Sequence, residues 1–103
     1  MVRSRIIQLV KQGHMREEID LIEELNRVLK EKGLKEGTCW VSFGGILQQL
    51  IIEYEYPTLA DYERELDAFF SDSDLMKVWR GSAQHIVEGS GREELMSTAP
   101  ALA

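Results

Sequence analysis

Cysteine is down to a single residue in this chain, and an excess of basic residues and any long apolar run are missing. The one cysteine, Cys39, leaves no internal disulfide and no cysteine-rich zinc site. Net charge is −6, and the lysines and arginines are scattered, with only Arg3, Arg5 and Lys11 near one end. Nucleic acid needs a basic stripe, so it is not an expected partner. No apolar run approaches the roughly 20 residues that span a bilayer. The opening "MVRSRIIQLVKQGH" is too short and too charged in its apolar part for a secretory signal. A cytoplasmic protein without a membrane partner is the expectation. Histidine occurs twice, and no pair of His or Cys has metal-ligand spacing, so no metal site is expected.

What remains is an ordinary globular composition, 44% hydrophobic and 29% charged, in 103 residues. That length predicts one domain with a single thin core between two layers. "VRSRIIQLVK" (residues 2–11) reads as a first strand. After Gly13 and His14 the period changes. Met15, Ile19, Ile22, Leu25 and Leu29 recur at helical spacing, with acids in the first turns and Lys30 and Lys32 in the last. Gly33 is the expected helix stop. "TCWVSF" (38–43) reads as a second strand, Gly44-Gly45 as a tight hairpin, and "ILQQLIIEYEY" as the returning third strand. Thr58 and Asp61 form a capping box for a second helix carrying Leu59, Tyr62, Leu66 and Phe69. "SDSD" interrupts that helix, with Ser73 as the expected cap of a further turn. "SAQHIVEG" (82–89) alternates and reads as the fourth strand.

The order β-α-β-β-α-β predicts an α+β, ferredoxin-like fold. Its four-stranded antiparallel sheet has order 4-1-3-2, with both helices on one face. The domain is expected over residues 1–94, with 95–103 as a C-terminal tail. Alternation assigns Ile7, Leu9, Leu50, Ile52, Tyr54 and His85 to the helix side. It assigns Ile6, Gln8, Val10, Trp40, Gln49, Ile51, Glu53 and Ile86 to the open side. So much apolar surface on an open sheet face predicts a homodimer packed sheet to sheet.

The chain resembles the dimeric α+β-barrel superfamily, and within it the NIPSNAP-like group. The likeness rests on the whole β-α-β-β-α-β pattern and on "IIEYEYPTLADYERELDAFFSDSDLMKVW" and "IVEGSGREEL". Ser73 stands where such families carry a proline. The superfamily includes cofactor-independent oxygenases, haem-degrading enzymes, lactone isomerases, dehydratases and members with no assigned role. The resemblance therefore implies fold and dimerisation, and a pocket between sheet and helices. It carries no catalytic residue over to this chain.

By alternation, Tyr54 and His85 would line such a pocket, with His14, Trp79 and Arg80 at its edges. A phenol and an imidazole could bind and deprotonate an enolisable or phenolic substrate. Equally, Tyr54 reads as a core residue with its hydroxyl at a rim, and His85 as a hydrogen-bonded strand residue. Haem would need His14 or His85 beside an apolar cavity, and no cofactor is expected. Arg80 could clamp an anion or simply match a helix dipole. Glu53 and Glu55, about 7 Å apart on one strand face, read as structural, with Glu53 pairing to Arg3, Arg5 or a partner subunit. Two functions are left: a small homodimeric NIPSNAP-like module of unassigned biochemical role that could bind a small ligand between sheet and helices, or a cofactor-independent monooxygenase or isomerase acting on a small aromatic or polyketide-like substrate.

Overall fold

The computed structural model describes residues 1–99. Strand β1 is Val2–Leu9 and helix α1 is Met15–Glu31. The helix stops where expected: Gly33 takes a φ of +75° and the Leu34 amide donates to Leu29 O at 2.9 Å. Strands β2 (Thr38–Val41) and β3 (Gln49–Tyr56) follow. They are joined by a loop over residues 42–48 rather than a two-residue turn at Gly44-Gly45. Thr58 caps α2 (Leu59–Ser71), accepting from the Asp61 amide at 3.2 Å and donating to its carboxylate at 2.8 Å.

Helix α3 (Ser73–Gly81) is capped by Asp72, not by Ser73. The Asp72 carboxylate accepts from the amides of Asp74 (2.9 Å) and Leu75 (3.0 Å), and Ser73 is already the first helical residue. A carboxylate is a strong acceptor beside the positive helix start, which favours Asp72 for the role.

The sheet order is β2-β3-β1-β4, antiparallel throughout, with β4 at Arg92–Ser97. The expected topology holds, but the fourth strand lies elsewhere. Residues 82–84 form a short 3₁₀ turn after α3, and 85–87 touch β1 only through the Val10–Ile86 bridge. Gly89 to Gly91 then loop out, with the Ser90 hydroxyl accepting from the Leu9 amide at 3.1 Å. Beyond them "REELMS" takes the edge of β1. Alternation alone misplaced this strand, because an edge strand needs no buried alternate face and can carry charge. The domain therefore runs through Ser97, past the boundary expected at residue 94; residues 100–103 of the expected tail lie outside the described residues.

The helices cover one sheet face. Ile22, Leu25 and Leu29 of α1, Tyr62 of α2 and Leu75 of α3 pack with Val2, Val10, Leu50 and Ile52 in one core. This parity corrects the expectation for β1. Ile6, Gln8 and Val10 face the helices, whereas Ile7 and Leu9 face away, since Ile6 pairs with the core residue Ile52 and Gln8 with Leu50. Ile86 also packs on the core. Four of the eight residues expected at a dimer interface are thus inside the protomer.

The open face keeps Trp40, Gln49, Ile51 and Glu53, with Ile7 beside Ile51 in register. Arg5 reaches Glu53 at 3.1 Å and Glu94 at 3.4 Å, and Arg3 reaches Glu55 at 2.5 Å. The carboxylates of "EYEY" are spent on this ladder of ion pairs, which at such exposure adds little stability. Trp40 stands half-exposed among them, and Phe43, Ile46 and Leu47 project from the β2–β3 loop.

Candidate aromatic cavity between sheet and helices

Helix α2 buries only Tyr62 fully, and Leu66 and Phe70 on its other turns remain exposed. The helix therefore leaves unfilled space above the sheet, a cavity of about 80 Å³. That is well above the roughly 15 Å³ that admits one water. Tyr54 and Tyr56 of β3 and Tyr62 of α2 form one wall. Phe69 and Trp79 form another, at the α2–α3 junction. Within each wall the rings meet near a right angle: Tyr56 and Tyr62 at 77°, Phe69 and Trp79 at 85°.

Polar groups converge at one end. Glu93, on edge strand β4, accepts from the Ser4 hydroxyl at 2.5 Å and from the Tyr62 hydroxyl at 3.0 and 3.1 Å. Ser4 is buried on β1 opposite Tyr54, so the strand register brings the three elements together. Lys35 and Glu65 lie at the mouth, where the Lys35 amide donates to the Glu65 carboxylate at 2.7 Å. The Tyr54 and Tyr56 hydroxyls have no hydrogen-bond partner among the described residues, although both residues are buried against the cavity. Both hydroxyl oxygens keep access to solvent, so each is free to donate to a molecule in the cavity.

Burial pushes Tyr54 up to about 12. Tyr62 rises to about 12 through burial first and its hydrogen bond to Glu93 second. Burial, followed by the charge of Glu65, raises Tyr56 as well. All three phenols are therefore neutral at pH 7 and act as donors, not bases. Glu93 is the carboxylate that the Ser4 and Tyr62 hydroxyls face.

Of the residues singled out by sequence, Tyr54 and Trp79 line this cavity. His85 and His14 do not. They meet each other at the opposite end of the sheet, Nδ1 to Nδ1 at 3.0 Å, because residue 85 follows the 3₁₀ turn instead of lying in a strand. Arg80 is exposed at the end of α3 and is not part of the lining. Ser4, Tyr56, Tyr62 and Glu93 were missed. The "Y-x-Y" of β3 and the tyrosine at α2 helical spacing carried a signal, but Ser4 and Glu93 depend on strand pairing alone. Near the histidine pair, the fully buried Glu18 accepts from the Ser82 hydroxyl at 2.8 and 2.9 Å, and burial raises its pKa. Cys39 is half-buried, and burial followed by the charge of Glu18 keeps its thiol protonated. That is a packing role, not a nucleophile. No cluster of three or more metal-ligating side chains occurs among the described residues.

The solved structures most similar in shape share this architecture from end to end. A NIPSNAP domain protein from Burkholderia xenovorans superposes with a TM-score of 0.80 at 10% identity, covering 96% of this chain and 95% of that one. The chain has the fold of the NIPSNAP-like group. A NIPSNAP family protein from Agrobacterium tumefaciens gives 0.77 at 18% identity, over 95% and 92% of the two chains. An antibiotic biosynthesis monooxygenase gives 0.75 at 17% identity, over 97% and 100%. No family profile and no curated protein sequence matches. At these identities the likeness establishes the ferredoxin-like NIPSNAP fold and leaves the chemistry to the residues of this chain. Among the described residues no helix is long and apolar enough to cross a membrane.

Proposed function

We propose that this chain is a small cytoplasmic, NIPSNAP-like binding protein that holds a small molecule between sheet and helices and works as a homodimer. The observation that carries the reading is the aromatic cavity, with two unpartnered phenols inside it and a hydrogen-bonded carboxylate at its rim. Ligand sites are mostly apolar hollows with a few convergent polar groups, and this one has that composition. The homodimer is supported by exposed Trp40 on the open sheet face and the exposed apolar loop at Phe43, Ile46 and Leu47. Sedimentation or scattering tests it: a stable monomer at micromolar concentration removes the dimer. A thermal-shift screen of small aromatic compounds tests the cavity, with Tyr54→Phe and Trp79→Leu as controls. Absence of any hit that these variants weaken removes the binding role.

A cofactor-independent monooxygenase or isomerase is the second reading, drawn from the likeness to the antibiotic biosynthesis monooxygenase. His85 is not in the cavity wall, and the carboxylates there are Glu93 and Glu65. Turnover of an aromatic substrate that Glu93→Gln abolishes, while binding survives, would favour it.

A further inference from the structure

We propose that the ligand of this cavity is a small organic cation, a primary or methylated amine on an apolar body. The inference rests on the binding role above and names the class of molecule bound. Its first ground is charge. The charged side chains of the lining are Lys35, Glu65 and Glu93, a formal net charge of one negative. Glu93 is in no ion pair among the described residues, whereas Glu53, Glu55 and Glu94 on the other sheet face are all paired with arginine. The sheet itself makes the difference. Arg3, Arg5 and Arg92 fall on the open face by register, and Glu93 falls on the helix face. Ser4 and Tyr62 orient this carboxylate without neutralising it, and lone pairs remain for a third donor.

The second ground is the wall. Tyr56 against Tyr62 and Phe69 against Trp79 set ring planes nearly perpendicular along two sides of one small space. Rings set at such angles around a hollow are how proteins hold alkylammonium groups, through the negative face of each ring. An anion would meet both the ring faces and Glu93 with the wrong sign. A neutral ring would gain the apolar contact but leave the carboxylate without a counter-charge.

The test is calorimetric titration of the full chain with benzylamine, benzyl alcohol and benzoate at pH 7 and low salt. These share a ring and differ in charge. Benzylamine is expected to bind at least roughly tenfold more tightly than benzyl alcohol, with benzoate weakest. Glu93→Gln should bring amine and alcohol to within about twofold, and Phe69→Leu should narrow the gap on a background that keeps the carboxylate. Circular dichroism checks that both variants fold. Equal binding of amine and alcohol, or an amine preference that Glu93→Gln leaves intact, overturns the cation and keeps the cavity as a binding site. No binding of any of the three, with no change in Trp79 fluorescence, overturns both.

Discussion

Asn26 and Gly37 exchange two hydrogen bonds of 2.8 Å each: the Asn26 amide donates to Gly37 O, and the Gly37 amide donates to Asn26 Oδ1. A side chain of α1 thereby acts as a strand partner for the backbone just before β2. It ties the α1–β2 connection to the helix and sets where β2 begins. It also holds Gly37 against the back of the cavity wall. A Cβ there would lie 2.6 Å from Ile52 Cγ2 and 2.8 Å from Tyr54 Cζ.

Gly37→Ala should therefore destabilise the fold by about 1–3 kcal/mol, the usual cost of overpacking. It should also push the Tyr54 ring toward the cavity. Chemical denaturation measures the first effect, and loss of ligand-induced thermal shift the second. A variant as stable as the parent would mean that the Gly37 backbone moves freely, contrary to the Asn26 clamp.

His14 and His85 share one hydrogen bond between Nδ1 atoms, so one ring must donate and the other accept. The bond links the start of α1 to the segment after α3. Each histidine-to-alanine change should cost stability, and a double-mutant cycle should return a coupling of about 0.5–1.5 kcal/mol. Additive losses would show that the contact contributes nothing.

Glu18 gives the fold a pH dependence of known sign. Burial raises its pKa from the ordinary 4.5, so the folded state holds this proton more tightly than the unfolded chain. Its contribution is fully present below pH 4.5 and is lost as pH rises through the higher folded value. Glu18→Gln should remove that loss. Relative to wild type, the variant should look better at pH 8 than at pH 4. Urea denaturation at the two pH values checks it, and a pH-independent difference would refute it.

Thr58→Ala removes the hydroxyl that accepts the Asp61 amide and should cost about 1 kcal/mol. A thermal melt reads the effect directly. Since α2 carries Tyr62, fraying of its first turn should also loosen the Glu93 contact and weaken any ligand bound in the cavity.

The α1 helix, the cap at Thr58, the stop at Gly33 and the helix-facing side of β3 were all legible in the chain. Each is written in local period or local turn chemistry. The strict alternation of "LIIEYEY" needed no partner strand to be read correctly. Strand β1 was different. Ile6 and Ile7 are adjacent and equally apolar, so period alone cannot say which faces the core, and a one-residue error inverts the whole strand. Only pairing of Ile6 with Ile52 decided it, turning Gln8 and Ser4 inward. The fourth strand was decided the same way, by hydrogen bonds along the free edge of β1 and not by its own pattern. With β4 in place, Glu93 came to Ser4 and Tyr62, and His85 left the pocket for His14. The cavity's carboxylate is thus a product of strand register, a long-range property that no local spacing in this chain encodes.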